Sequence, residues 1–365
     1  MVRRELFLLQ SPTKPAFKNR RGLTLVELLI LIGIVVILLG LLLPTVRRSH
    51  GPARRSMCLN NMRQIILASH NYQSSNLKLP MAIGIRDQTG QVSPKRISGL
   101  VTLLPFMDSG SLHEQITTAT EFNGVQYPAL GPEFSDNSYP PWTEQLHSLR
   151  CPSDNSEDGN FGQTNYAFSI GDTARQIYQP KKLRGPFGAF KSSSFDDVTD
   201  GSSHTIALAE IGGPLKLTRG GFMTEGKPEW LDSPKSVFSG VNQGRDEYQT
   251  TAIVAGRGSH WANGSAGTSL VNTILPPGSP SFRVAGNLNG DGVYSAGSAH
   301  SGGVNVALVD GSARFIHSGI DAGDPTSPTL TVQQIESDAV VASPHGVWGA
   351  LGTMAGGDTD AAEEL

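Results

Sequence analysis

The chain has 365 residues, of which 17% are charged, and its 42 glycines and 23 prolines predict many turns. Its formal net charge is −3, and residues 23–365 alone hold 23 basic and 31 acidic residues, a balance of −8. Nucleic-acid-binding domains carry a basic surface, so we expect no nucleic-acid partner. The length suits one large domain or two modest ones.

The first predicted element is an apolar run from Leu23 to Leu43, in which only Thr24 and Glu27 are polar apart from glycine. A hydrocarbon core of about 30 Å needs about 20 helical residues, so the run predicts one transmembrane helix. No small-residue cleavage site follows it, so we expect it to remain in the mature protein. The basic residues of 1–22 favour a cytoplasmic N-terminus and place the chain from about residue 45 onward outside the cytoplasm.

Glu27 is a carboxylate inside this apolar run, where a charge costs roughly 2.5–3.5 kcal/mol on insertion scales. One interpretation is a residue near the helix end whose side chain reaches the membrane interface. The other is that the chain is cut after Gly22. The new α-amino group of Leu23 would then lie one turn from Glu27 and neutralise it, in the same chain or a neighbouring one.

The segment RRGLTLVELL, residues 20–29, resembles the type IV prepilin signature. That signature joins a basic leader, a glycine, a scissile bond, a hydrophobic residue and a glutamate at the fifth mature position. The resemblance implies cleavage between Gly22 and Leu23 by a prepilin peptidase, N-methylation of Leu23, and assembly with other pilin-like subunits through Glu27. Phenylalanine is the usual first mature residue in that family, where this chain has leucine. Pro44 matches a proline that kinks the long helix of many pilins.

The next predicted element is an amphipathic continuation of the helix, clearest over residues 57–73. Its apolar stripe follows a 4-3-4-3 spacing typical of a helix that packs on a sheet: Cys58, Met62, Ile65, Ser69 and Tyr72. Gly51 and Pro52 predict a break or kink before it, and Asn76 and Pro80 predict its end. His70 is expected at a surface or interface rather than as a metal ligand.

Residues 79–345 are predicted to form an α+β domain with an antiparallel sheet and long loops. We expect Leu100–Met107 as a buried strand or short helix and His204–Ile211 as a strand. Asp310-Gly311, between two β-rich runs, predicts a hairpin with a two-residue type I′ turn. In that register Val306 lies opposite Phe315. The predicted segments are 1–22, 23–43, 44–78, 79–345 and a C-terminal segment, 346–365, with an acidic tail.

His300 precedes Asp310-Gly311 with nine residues between, and this H-X9-DG spacing resembles the signature of a bacterial prepilin-processing-associated family of unknown function. Other segments resemble the same family in the same order, among them CLNNMRQIILASHNYQ, LRCPSD, VTDGSSHTIALAE and VWGALGTMAGGD. The resemblance implies a pilin-like first helix, an extracytoplasmic α+β domain and no established enzymatic chemistry.

Four titratable residues near these motifs could be imagined as an acid–base cluster: His300, Asp310, Asp200 and Glu210. No nucleophile motif accompanies them, and both aspartates precede glycine in turn contexts, where backbone reasons explain an aspartate. We therefore predict structural roles for these residues, with ligand or metal binding as the alternative, and we expect no enzymatic activity and no cofactor.

The segment 287–298 resembles a calcium loop in part, because Asn287, Asn289 and Asp291 stand at positions 1, 3 and 5. The twelfth position is Ser298 rather than glutamate, so a surface loop is the preferred interpretation and no metal is expected. Cys58 and Cys151 could form a disulfide, since an extracytoplasmic domain permits one. Two buried free thiols are the alternative.

These observations favour a pilin- or pseudopilin-like structural subunit or accessory of a type II secretion or type IV pilus-like assembly. It would be a single-pass inner-membrane protein with its ectodomain in the periplasm or at the cell surface. The alternative is a membrane-anchored extracytoplasmic solute- or glycan-binding protein, in which Trp142, Trp230 and Trp261 could stack on sugars if they are exposed. The three residues could equally be core or loop anchors.

Overall fold

The computed structural model describes residues 24–87, 89–155, 159–212, 221–242, 247–248 and 253–358. Its helices are α1 (Leu25–Asn76), α2 (Gly99–Leu103), α3 (Gly110–Thr117), α4 (Pro140–Thr143), α5 (Ala266–Ser269), α6 (Val332–Glu336) and α7 (Gly346–Ala350).

The strands are short. They are β1 (Thr120–Phe122), β2 (Val125–Tyr127), β3 (Tyr166–Ser169), β4 (Ile206–Glu210), β5 (Phe222–Gly226), β6 (Val241–Asn242), β7 (Glu247–Tyr248), β8 (Ile253–Gly256), β9 (Leu270–Val271), β10 (Ser281–Val284), β11 (Gly292–Val293), β12 (Gly303–Leu308) and β13 (Ala313–His317). Helices and strands alternate irregularly along the chain, so the protein is an α+β protein.

The chain divides into two compact units, residues 1–50 and 51–365. In the first unit, the apolar side chains of α1 from Leu25 to Leu38 are exposed. No helix in the described part of the chain is both long enough and apolar enough to cross a membrane.

In the second unit, α1 buries the predicted stripe. Cys58, Met62, Ile65 and Ser69 are fully buried and Tyr72 is half-buried, which confirms the 4-3-4-3 pattern. The helix ends at Asn76, as predicted.

At Gly51-Pro52 the sequence predicts a break or a kink, and the break is wrong, because α1 is helical through both residues. A kink there stays a prediction. A proline removes one main-chain hydrogen bond of a helix. Here the turns before and after Pro52 are both helical, so the loss of that bond does not end α1.

Two sheets form the framework of the second unit. One has five strands in the order β13-β12-β4-β3-β9, and the other has four in the order β11-β10-β5-β8. Both are mixed rather than antiparallel, since β3 pairs with β9, and β5 with β10, in parallel. Parallel neighbours need long crossover connections, and the long loops of this chain supply them.

The hairpin β12–β13 is present at the predicted place, but its register differs by one residue. Ala307 pairs with Ala313, and the Gly311 amide donates to the Leu308 carbonyl at 3.0 Å. The loop therefore has three residues, with Gly311 at φ +90° as its left-handed residue. Val309 belongs to the loop because it is buried and its carbonyl accepts a hydrogen bond from His70 Nε2 at 2.8 Å.

In the observed register Val306 lies opposite Arg314 rather than Phe315. Strand β12 does not have one buried and one exposed face, since Val304 to Leu308 are all buried. The strand lies between β13 and β4, in the interior of the five-stranded sheet. Both of its faces are therefore covered, and alternation along the sequence does not report burial there.

We expect Gly311→Val to destabilise the second unit by about 1–3 kcal/mol, because valine is strained at a left-handed φ. A Cβ there would also lie 3.2 Å from His70 Cε1. Gly278→Val is the matched control, with φ +85° and no atom within 4 Å of the added Cβ. Chemical denaturation should show the larger loss for Gly311→Val; equal losses would assign the whole effect to backbone strain.

The tryptophans form part of the core. Trp142 and Trp261 are fully buried, and Trp230 packs edge-on against Phe282 at 5.3 Å between ring centroids. Of the two interpretations of these residues, Trp142 and Trp261 therefore follow the one that makes them core anchors, and Trp230 is half-buried. Their loop-like segments fold back over the core, where large rings bury the most apolar area.

His260 lies among three aromatic rings, those of Phe134, Trp142 and Phe161, and is 4% exposed. Burial lowers its pKa to about 4. Between pH 6.5 and 4 the unfolded chain binds a proton at this residue and the folded chain does not, so stability falls as the pH is lowered through that range. The expected loss approaches about 3 kcal/mol.

The measurement is the free energy of unfolding as a function of pH for three chains. His260→Gln should flatten the dependence between pH 6.5 and 4, whereas His317→Gln, at an exposed position on β13, should leave it unchanged. An unchanged slope in His260→Gln would assign the acid sensitivity to other groups.

Candidate functional site

A disulfide joins α1 to the body of the second unit. Cys58 on α1 and Cys151, which follows a short 3-10 turn, have their Cα atoms 5.1 Å apart. Both residues are at most 3% exposed. The Cys151 amide donates to Asn165 Oδ1 at 2.9 Å, and the Tyr166 hydroxyl donates to the Cys58 carbonyl at 3.2 Å. The start of β3 therefore holds both half-cystines.

His300, in the loop before β12, lies against this disulfide. Its Nε2 is 3.5 Å from Cys151 Sγ and 3.7 Å from Glu210 Oε1. Its backbone amide donates to Ser298 Oγ at 3.0 Å, which orients the loop. The four side chains place their ligand-type atoms within 4.8 Å of one another. We call them the cystine–histidine–glutamate cluster: Cys58, Cys151, Glu210 and His300.

The carboxylate of Glu210 is buried at the end of β4 and is held on both oxygens. Oε2 accepts from the Asn305 amide at 3.0 Å and from Ser298 Oγ at 2.6 Å. Oε1 accepts from Asn305 Nδ2 at 2.9 Å. Charge-assisted hydrogen bonds of this kind fix a carboxylate in position and offset the cost of burying it.

The surroundings of His300 lower its pKa, which favours the neutral imidazole. Burial lowers the pKa of His300, the Glu210 carboxylate opposes that shift, and the Arg55 guanidinium adds to it. A neutral imidazole has one ring nitrogen with a free lone pair, so it can accept a hydrogen bond or ligate a metal.

A cavity of about 670 Å³ gives solvent access to the histidine side of the cluster. Its lining includes Arg54, Arg55, Ser153, Ala299 and His300. Arg55 is anchored there by its guanidinium, which lies 3.5 Å from the centre of the Phe315 ring.

The four titratable residues considered as an acid–base cluster, His300, Asp310, Asp200 and Glu210, do not come together in the structure. Asp310 is exposed at the hairpin, where its Oδ1 accepts from the Ser312 amide at 2.8 Å. Asp200 accepts from the backbone amides of Gly356 and Gly357, so it fastens the segment after α7. The fold brings together His300 and Glu210 only, and adds the disulfide to them.

The calcium-loop candidate is closed on itself. Asn287 Oδ1 accepts from the amides of Asn289 and Asp291, and Asn287 Nδ2 donates to Asp291 Oδ2 at 3.0 Å. Asp291 Oδ1 accepts from the Gln176 amide at 2.6 Å, and burial raises the pKa of Asp291. The side-chain oxygens that would ligate a cation therefore accept hydrogen bonds instead, most of them within the loop, and these bonds stabilise its turns.

At the N-terminal motif, Gly22 and Leu23 lie outside the described residues. Glu27 lies in the first turn of α1, where its Oε2 accepts from Thr24 N at 2.8 Å and from Thr24 Oγ1 at 3.0 Å. The Glu27 amide donates to Thr24 Oγ1 at 3.3 Å. This is a reciprocal capping box, whose T-x-x-E signal was present in the sequence and was missed.

The sequence reasoning also missed Asn305 and Ser298, which position Glu210 and the loop of His300. No local signal could have identified them, because their partners are about 90 residues away.

The described residues therefore define a class of protein: a disulfide-linked α+β protein whose first helix begins at Leu25. The chain belongs to the family described as SBP_bac_10, protein of unknown function (DUF1559), whose profile matches residues 52–323. No curated protein and no solved structure matches the chain significantly.

Proposed function

We propose that the protein is a pilin- or pseudopilin-like subunit, or an accessory, of a type II secretion or type IV pilus-like assembly. A prepilin peptidase cuts it after Gly22 and Leu23 is N-methylated. The apolar segment spans the inner membrane, and the α+β body lies in the periplasm or at the cell surface. The role is structural rather than enzymatic.

The observation that carries the proposal is the difference in side-chain exposure between the first and the last part of α1. From Leu25 to Leu38 its apolar side chains are all exposed, whereas from Cys58 onward one stripe is buried and the exposed side is polar except for Leu67. Monomeric soluble proteins rarely expose a contiguous apolar surface of such length. Lipid, or the equivalent helices of other subunits, would cover it.

Glu27 is consistent with this role. Its carboxylate accepts hydrogen bonds from Thr24, the residue that follows Leu23 in the sequence. Cleavage after Gly22 would place an ammonium group near that carboxylate. The amine of a neighbouring subunit could meet it in the same way and set the register of assembly.

Glu27→Gln tests the charge separately from the cap, because glutamine also closes a capping box. We expect normal cleavage and loss of the chain from the multisubunit fraction, measured by crosslinking in membranes and by analysis of sheared surface fibres. Thr24→Val is the matched control, since it removes the hydroxyl of the cap and retains the charge. It should assemble. Assembly of Glu27→Gln at the wild-type level would contradict the proposal.

A second candidate, a membrane-anchored solute- or glycan-binding protein, is favoured by a cavity of about 700 Å³. Its lining combines aromatic rings and polar groups, including Tyr72, Arg86, Phe106 and His113, as small-molecule sites do. A thermal-shift screen against sugars and amino acids would support this function if a stabilising compound lost its effect in Phe106→Ala. Absence of any stabilising compound would leave the structural role favoured.

A further inference from the structure

The cystine–histidine–glutamate cluster has the donor set of a zinc site. A tetrahedral Zn²⁺ ion, with bonds of about 2.3 Å to sulfur and about 2.0–2.1 Å to nitrogen or oxygen, keeps sulfur and nitrogen about 3.5 Å apart and nitrogen and oxygen about 3.4 Å apart. The observed separations are 3.5 Å between Cys151 Sγ and His300 Nε2 and 3.7 Å between His300 Nε2 and Glu210 Oε1. Two of the three distances among these donors are therefore already close to tetrahedral spacing, and the ligand atoms of the whole cluster lie within 4.8 Å of one another.

Cys58 is the fourth donor, and its sulfur is occupied by the bond to Cys151. In a tetrahedral zinc site the two sulfurs lie about 3.8 Å apart, so the disulfide must open and the side chains must rotate before a metal can bind. The cluster can then hold either a disulfide or a metal ion, never both.

We propose that the reduced cystine–histidine–glutamate cluster binds one Zn²⁺ ion. The inference is independent of the assembly role proposed above, because it rests on residues of the second unit alone. It assigns one shared site to three features that the sequence presented separately: the two cysteines, the histidine of the H-X9-DG motif, and the glutamate that ends β4.

The reaction balances with a dithiol as the reductant. The dithiol transfers two electrons and two protons to the Cys58–Cys151 bond, forming two thiols, and becomes a disulfide itself. Zn²⁺ then displaces the two thiol protons to solvent and takes two thiolates, one imidazole nitrogen and one carboxylate oxygen. A dithiol-rich compartment therefore favours the metal form, and an oxidising one favours the disulfide.

The surroundings fit a metal site in two further ways. Asn305 and Ser298 hold the carboxylate of Glu210, as outer partners of metal ligands commonly do. Two thiolates and one carboxylate around Zn²⁺ leave a net charge of −1, and Arg55 supplies a positive charge in the cavity that His300 also lines. The cavity also gives the ion a route from solvent.

The test uses the full-length chain in detergent, reduced with a phosphine in the absence of oxygen. The phosphine and one water molecule convert the disulfide into two thiols, and the phosphine becomes a phosphine oxide whose oxygen comes from the water. Co²⁺ is the probe. We expect a sulfur-to-cobalt charge-transfer band and the intense visible bands of a tetrahedral ion, saturating at one Co²⁺ per chain and abolished by one Zn²⁺. The oxidised chain should give neither band.

His300→Gln should weaken Co²⁺ binding by at least the roughly 10–100-fold that the loss of an outer partner costs. His317→Gln, at an exposed histidine, should bind as the wild type does. A reduced wild-type chain without the charge-transfer band would overturn the proposal. Equal affinities of the wild type and His300→Gln would also overturn it, since two cysteines of an unfolded chain would bind cobalt without the histidine.

Discussion

The Gly22→Val precursor should remain uncut in membranes and run about 22 residues heavier than the mature chain, because a peptidase that needs close approach to a residue without Cβ cannot accept valine. The wild-type chain, by contrast, should begin with LTLVELL, at Leu23. Immunoblotting measures the size difference, and N-terminal sequencing of the extracted protein identifies the first residue. The effect is all-or-none, which makes it the largest expected here.

Gly33→Val is the matched control for the processing experiment. Gly33 lies inside the apolar run with no atom within 4 Å of an added Cβ, so valine there should leave cleavage unchanged. A wild-type chain that begins at Met1, or after residue 44, would refute the prepilin interpretation. The apolar run would then be a signal anchor or a removed signal peptide.

Loss of the disulfide should be the largest change in stability. Cys58 and Cys151 are 93 positions apart, and on the loop-entropy model a crosslink of that span contributes about 4–5 kcal/mol. We expect the Cys58→Ala/Cys151→Ala chain, unfolded in denaturant with a chelator present, to lose about that much free energy of unfolding.

Two controls accompany the disulfide experiment. Ser56→Ala changes an exposed residue of the same helix and should unfold as the wild type does. Reduction of the wild type, again with chelator, should reproduce the loss seen in the double variant. Peptide mapping without reductant should recover the two cysteines in one linked fragment, and complete alkylation of both thiols without reductant would reject the disulfide.

Much of the local structure could be predicted from the sequence. The buried stripe of α1, the end of that helix at Asn76, the strand within residues 204–211 and the position of the last hairpin all agree with the structure. Each depends on residues within one or two turns of one another, where periodicity and turn chemistry act directly.

Errors and undecided alternatives arose where a distant contact outweighed a local preference. The dipeptide Asp310-Gly311 favours a two-residue turn, but His70 and the surrounding core hold Val309 in the loop and shift the register by one. Trp142 and Trp261 stand in loop-like sequence and are buried, because their segments return to the core. Neither outcome leaves a periodic signal in the sequence.

The candidate site also combines features that local sequence determines with features that distant contacts determine. The sequence by itself determined the apolar segment before the body, the T-x-x-E and amphipathic patterns of α1 and the family to which residues 52–323 belong, because these follow from neighbouring residues or their order. Only the tertiary structure decided that His300 meets Glu210 and the disulfide, while Asp310 and Asp200 serve other segments. Those partners come from separate elements, and the physical reason is that strand pairing and burial, rather than spacing along the chain, set which side chains come within bonding distance.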